Sequence, residues 1–395
     1  MGYFSAVKKN FKLKYYINYI LVAGVLIITT ILQYTNLLRR SNANLLTQIA
    51  FSIILAVSLN LVVGFLGELS LGHAGFMCVG AYLGCYIANQ LHTVVSSKLV
   101  VLILSMIIGG LIAAVFGFII GLPALRLKGD YLAIVTLAFG EIVRTVFKNL
   151  PAFGGALGLN TVKYGNELFI SAFVMVLIVL FVVQNLVHSK HGRAITATRD
   201  NEIAAKAMGI NVTYYKLFVF VVSAFFAGIA GVIYGHYATP VLYLFFSYNY
   251  SIEILVMVVL GGMGNITGSI IAASFITVVN FLLQTNLSGD LAALKYLIYA
   301  IILIVFIIFN NAPALEPLRE KLSFKKLLQK KEKKNDPSKI KGDDVDWHRI
   351  PTKIKMDEIL SVDVTPDPYN PDAPEKKQTK SSSNSSSESG AREEK

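Results

Sequence analysis

Five ionisable side chains fall within or beside long apolar runs: Glu68, Asp130, Glu141, Arg144 and Glu253. A charge facing hydrocarbon is costly, so each is expected to meet a partner, protein or a water-filled path. Buried carboxylates can act as proton or sodium sites, and an ion-coupled transporter would use Glu68, Glu141 and Glu253 in that way. The plainer alternative pairs Glu141 with Arg144, three residues further along the same helix face. Asp130 follows Arg126 and Lys128 and reads as a structural cap or interfacial ion pair, and His236 as an interfacial residue near an outer end. Enzymatic chemistry has no carrier, because His-Glu-x-x-His, paired intramembrane aspartates and a Ser/His arrangement do not occur. Gly-x-x-x-x-Gly-Lys-Ser/Thr does not occur either, so no backbone cradle for nucleotide phosphates exists in this chain. Cys78 and Cys85, seven residues apart on one run, are too distant for a disulfide within a straight helix. No metal or cofactor is implied.

The elements that must hold these residues are set by composition. Of 395 residues, 54% are hydrophobic and 15% charged, and the mean hydropathy is +0.59, which excludes a water-soluble globule. Residues 1–310 carry 18 Lys/Arg against 8 Asp/Glu, and residues 311–395 carry 18 against 16. A membrane domain over 15–310 therefore precedes a charged tail over 311–395, with a basic segment, 1–14, in front. The net charge of +12 lies mostly beside apolar spans, as orientation signals do, so nucleic-acid binding is disfavoured. Apolar runs predict about ten transmembrane helices, at 15–35, 45–66, 74–91, 99–121, 130–147, 168–187, 217–238, 250–263, 268–284 and 292–309. The expected fold is all-α, polytopic and embedded in membrane lipid.

Lys8, Lys9, Lys12 and Lys14 precede the first span without a small-residue cleavage site, so that span reads as a retained anchor with a cytoplasmic N-terminus. The longest polar connection, 188–216, then returns to the cytoplasm, and its basic excess agrees. Ten spans also leave the C-terminus inside, where a run of lysines follows the last span; Arg39-Arg40 in an outer loop is the dissenting signal. From about Asp336 the tail is rich in Ser, Pro and charge, a composition that predicts disorder. Residues 315–330 read either as an interfacial amphipathic helix or as a solvated basic stretch.

The connection 188–216 is the most informative polar segment. Between Arg193 and Met208 there is no Pro or Gly and there are five alanines, which predicts one short helix stopped by Gly209, with Thr213 capping the next span. Ile203, Ala204, Ala207 and Met208 share a face of it. Such a cytoplasmic helix between two spans can fill a groove on a partner, and its small side chains suit protein better than acyl chains. Two Gly-rich breaks, Gly67 to Gly75 and Gly261 to Asn265, are expected to line a pathway or a tight helix contact, since freed backbone groups must be satisfied. Packing is the expectation for Gly261, Gly262 and Gly264, whereas Ser70, Gly72 and His73 are candidates for a translocation pathway.

The segment Gly192-Arg193-Ala194, Arg199-Asp200-Asn201-Glu202 and Glu202-Ile203-Ala204-Ala205-Lys206-Ala207-Met208-Gly209 resembles the coupling loop of ABC importer permeases. Three further stretches, Leu69 to Phe76, Leu127 to Ile142 and Val259 to Gly264, resemble the branched-chain amino acid permease family of the LivM type, in family order. The chain departs from that pattern at Phe153-Gly154-Gly155-Ala156-Leu157-Gly158 and at Asn310-Asn311-Ala312-Pro313-Ala314-Leu315. The resemblance implies a permease in a bacterial inner membrane, energised by ATPase subunits that dock on 193–209. Gly192, Arg193, Arg199, Asp200, Glu202, Ala204, Ala205 and Gly209 would form the ATPase-coupling site. The implied partners are a second, LivH-like permease, two cytoplasmic ATPase subunits and an extracytoplasmic amino-acid-binding protein. Within this class a urea or short-amide importer stays open.

Overall fold

The computed structural model describes residues 40–286 except Lys128, with a few isolated residues on either side. Two compact units divide the chain, Met1–Arg319 and Glu320–Lys395, and every described residue belongs to the first. The basic N-terminus, the tail, the 315–330 stretch and most of the expected spans 15–35 and 292–309 lie outside the described residues.

Among the described residues every regular element is helical. They are α1 (Arg40–Asn60), α2 (His73–Val79), α3 (Cys85–Leu91), α4 (Lys98–Ala124), α5 (Asp130–Asn149) and α6 (Asn166–His188), followed by α7 (Lys190–Asp200), α8 (Glu202–Ala207), α9 (Val212–Tyr237), α10 (Tyr248–Gly261) and α11 (Ile266–Asn286). Five stretches are long and apolar enough to cross a bilayer: Ala43–Leu66, Lys98–Ala124, Glu167–His188, Val212–Tyr237 and Ile266–Leu283. They match five of the expected spans. The expected span 74–91 is a single run in which the π-helical turn Gly80–Gly84 joins α2 to α3. The expected span 130–147 is α5, which carries Asp130, Glu141, Arg144 and Lys148, and 250–263 is the shorter α10.

α9 runs through the middle of the bundle, and small residues let its neighbours approach it. On α4, Gly109, Ala113, Gly117 and Gly121 recur every fourth residue and are buried, while Ile107, Leu111, Val115 and Phe118 are exposed on the opposite side. Size rather than polarity thus distinguishes the two faces of α4. Gly80 meets Gly228 of α9 backbone to backbone: a Cβ on Gly80 would sit 2.2 Å from the Gly228 carbonyl oxygen.

α1 does not continue into α2. It ends in a π-helical turn, Leu61–Leu66, and Gly67 takes φ 80°, a left-handed conformation that glycine adopts without a Cβ penalty. Residues 67–72 are non-helical, so their backbone donors need other partners inside the protein. Thr136 Oγ1 of α5 accepts from Leu71 N at 3.0 Å, and Ser251 Oγ of α10 accepts from Ala74 N at 3.1 Å. Asn60 closes the far side by accepting from Gly264 N at 2.9 Å and donating to Ser269 Oγ at 3.0 Å. Gly264 thereby packs against Gly64, and Gly261 against Gly268, as expected of that Gly-rich break.

Glu141, Arg144 and Glu253 have structural partners. Arg144 Nη2 lies 2.6 Å from Glu141 Oε2, and Glu141 Oε1 accepts from Tyr248 N at 2.9 Å, so this carboxylate also caps α10. Glu253 accepts a hydrogen bond from Asn280. Asp130 is not a cap: Gly129 occupies the N-cap without a side-chain bond, and Asp130 stands in the first turn, where the helix dipole favours it. His236 stands at the end of the span Val212–Tyr237 and is 2% exposed, with Nδ1 3.1 Å from the Val162 carbonyl oxygen of the connection that follows α5. Cys78 and Cys85 are free and buried.

Candidate functional site

The connection between α6 and α9 begins at Ser189, whose Oγ caps α7 by accepting from His191 N at 3.1 Å and Gly192 N at 3.3 Å. Gly192 is buried against the end of α6, where a Cβ would fall 1.9 Å from the Val187 carbonyl oxygen. The single helix expected over 193–208 is two helices. Asn201 is extended (φ −157°) and uses its Oδ1 to accept from Ile203 N and Ala204 N, both at 3.0 Å. Propensity favoured continuity, but a side-chain cap at Asn201 offers the backbone an alternative that a short polar segment takes. Gly209 ends α8 with φ 80°, as expected. The cap of α9 is Asn211, not Thr213, through a bond from Tyr214 N to Asn211 Oδ1 of 3.1 Å.

The two faces of α8 differ in what they meet. Ala205 is buried beneath it, whereas Ile203 and Met208 are each 82% exposed, with Ala204 and Ala207 exposed between them. Arg193 is exposed on α7. Arg199 pairs with Asp200, Nη2 to Oδ1 2.9 Å, and its Nη1 donates to the Gly64 carbonyl oxygen at 3.0 Å.

Glu202 faces its own chain. Its Oε1 lies 2.7 Å from Lys206 Nζ and its Oε2 3.2 Å from Lys216 Nζ. Lys216, at the start of α9, is 6% exposed and lies 2.5 Å from Glu68 Oε1. Removing Lys216 would leave the Glu68 carboxylate without this cation, whereas removing Glu68 would leave Lys216 with Glu202, so losing the lysine is the costlier change. Sequence inspection flagged Glu68 and Glu202 but not their shared partner, since nothing local links positions 68, 202 and 216. The available signal was a lone lysine one turn into an apolar span, which needs an anion.

The hydrogen bond from Lys206 is the largest cause holding the Glu202 carboxyl below its ordinary range; burial opposes it and Lys216 adds to it. A depressed carboxylate stabilises the fold above its unfolded pKa, about 4.3, and the contribution is lost as pH falls through the lower folded value. A spin label at Ile203 is therefore expected to gain mobility on acidification below about pH 4. In Glu202→Gln the label should be mobile at every pH, and an identical pH profile in the two proteins would show that Glu202 does not hold α8.

Of the pathway candidates, Gly72 is packed, with a Cβ position 2.3 Å from the Thr136 carbonyl oxygen. His73 is buried with Nε2 2.8 Å from Ser58 Oγ, and Ser70 is buried with an Oγ that has no partner. Gly72 thus lies against α5 and His73 against α1, four and five residues beyond Glu68.

The described residues thus form a helical bundle with a broken first span and a capped two-helix connection between α6 and α9. Residues 41–307 match a family model described as the permease component of branched-chain amino acid transport systems. The chain belongs to that family. The permease is 35% identical over 277 residues to the high-affinity branched-chain amino acid transport system permease protein LivM of Salmonella typhimurium, covering 60% of this chain and 63% of the relative. The same values hold for LivM of Escherichia coli. The probable LivM of Methanocaldococcus jannaschii is 28% identical over 269 residues, covering 58% of the permease and 78% of that relative. The matched part therefore spans under two thirds of the Salmonella and E. coli proteins. No solved structure matches the permease.

Proposed function

We propose that this chain is a membrane-spanning subunit of an ATP-driven importer for branched-chain amino acids, with both termini cytoplasmic and 311–395 a cytoplasmic tail. It pairs with a second permease, two ATPase subunits and an extracytoplasmic binding protein. The observation that carries this reading is the exposed ridge Ile203, Ala204, Ala207 and Met208 on a helix whose other face is tied into the bundle. An apolar ridge held rigidly at a connection between spans suits a groove on a cytoplasmic partner. With no phosphate-binding loop in the chain, ATP is bound by that partner. An ion-coupled transporter is less well supported, because Glu68, Glu141 and Glu253 each already have a protein partner.

Cargo selection would reside in the binding protein, and the permease would hold its cargo weakly while passing it on. Ser70, with its unpartnered buried hydroxyl, is then the pathway residue with a free hydrogen-bonding group, whereas Gly72 and His73 serve the wall. Uptake of leucine, isoleucine and valine into vesicles holding the complete complex should require ATP. Urea and short amides should neither enter nor compete. Urea transport without response to the branched-chain amino acids would overturn the cargo, and uptake by the single chain driven by an ion gradient would overturn the importer.

A further inference from the structure

We propose that Lys216 and Arg199 are positioning residues that carry movement of α7 and α8 into the break at 67–72, with Glu202 acting on its own chain rather than on the docked partner. The proposal rests on the importer reading. The covalent links around α8 transmit force poorly: it joins α7 through the extended Asn201 and α9 through a corner containing Gly209 at φ 80°. A push on α8 would be absorbed at those corners unless side chains bridge them.

Two side chains do so, and both reach the same place. Lys216 bonds Glu202, the first residue of α8, at 3.2 Å and Glu68, the second residue of the break, at 2.5 Å. Arg199, from the end of α7, donates to the Gly64 carbonyl oxygen at 3.0 Å, and its aliphatic stem covers Gly67, where a Cβ would lie 2.6 Å from Arg199 Cγ. Beyond Glu68, whose N–H still bonds the Val62 carbonyl oxygen, the break is held by Thr136 of α5 at Leu71, and the start of α2 by Ser251 of α10 at Ala74. Displacing Glu68 therefore shifts Ser70 to His73 against those two helices. A half-open cleft of about 260 Å³, lined by Arg126, Glu202, Lys206, Thr213 and Lys216, lies between α8 and the end of α4, so α8 is not packed against α4 there.

The reconstituted complete complex tests this through leucine uptake per ATP hydrolysed, a ratio that a purely structural role would leave unchanged in the surviving protein. Glu202→Gln, and Lys216→Met combined with Glu68→Gln so that no buried charge is left alone, should each lower that ratio about fivefold or more. All three substitutions together should be no worse than the pair, because the three groups act as one link. Lys216→Arg, which keeps the charge, should retain coupling. Losses that multiply would mean that Glu202 acts on a partner, and an unchanged ratio in the pair would mean that the link carries no force; either overturns the proposal. If the pair fails to accumulate, Arg199→Gln, at an exposed side chain, decides by the same ratio. Failure of ATPase subunits to co-purify with the unaltered chain would instead sink the importer reading.

Discussion

Under the proposed docking of ATPase subunits on α8, Ile203→Asp and Met208→Asp should each release those subunits while leaving the membrane domain folded. Both side chains are almost fully exposed and make no packing contribution of their own, so substitution there should change fold stability by less than about 0.5 kcal/mol. At the centre of an interface the same change places a carboxylate in a desolvated apolar contact. Loss of an anchor residue typically costs about 2 kcal/mol or more, which weakens association by roughly 30-fold. Co-purification of ATPase subunits, with the thermal unfolding of the permease followed in parallel, separates the two effects. Undiminished co-purification with both variants would show that the ridge lies on lipid or solvent instead.

A second large effect is expected deep in the bundle. Gly80→Leu should prevent accumulation of the permease, and Gly80→Ala should destabilise it by about 1–3 kcal/mol. The contact is between backbones, with the Gly228 carbonyl oxygen 2.2 Å from where a Cβ would be, so no side chain can rotate away. The turn holding Gly80 joins α2 to α3, and neither can retreat from α9 without opening the core. Leu111→Ala, on the exposed face of α4, should be tolerated within about 0.5 kcal/mol. Equal membrane levels of Gly80→Leu and the unaltered protein would mean that the crossing is looser than described.

Hydropathy made the long spans legible, because twenty apolar residues have few other solutions in lipid, and α4, α6, α9 and α11 lie where the runs placed them. It could not say which face of α4 is buried, since both faces are apolar; the four-residue recurrence of Gly109, Ala113, Gly117 and Gly121 held that information. The connection 188–216 was legible as helical but not as two helices, because the cap at Asn201 outweighs the alanines around it. The orientation of Glu202 was not legible, because the partner that turns it inward stands fourteen residues away on another helix. The cap that Glu141 gives α10 was hidden for the same reason: it joins residues 107 apart.

α4 has a further consequence. An unbroken helix from Lys98 to Ala124, at about 1.5 Å per residue, is near 40 Å long, against a hydrocarbon layer of about 30 Å. The excess is accommodated by lean or by local thickening of the bilayer, at fractions of a kcal/mol per ångström. Its lean is not free, because the small-residue stripe seats the helix on α9 at a set crossing. The glycines that allow close packing therefore also fix the hydrophobic thickness that the permease presents to the surrounding lipid.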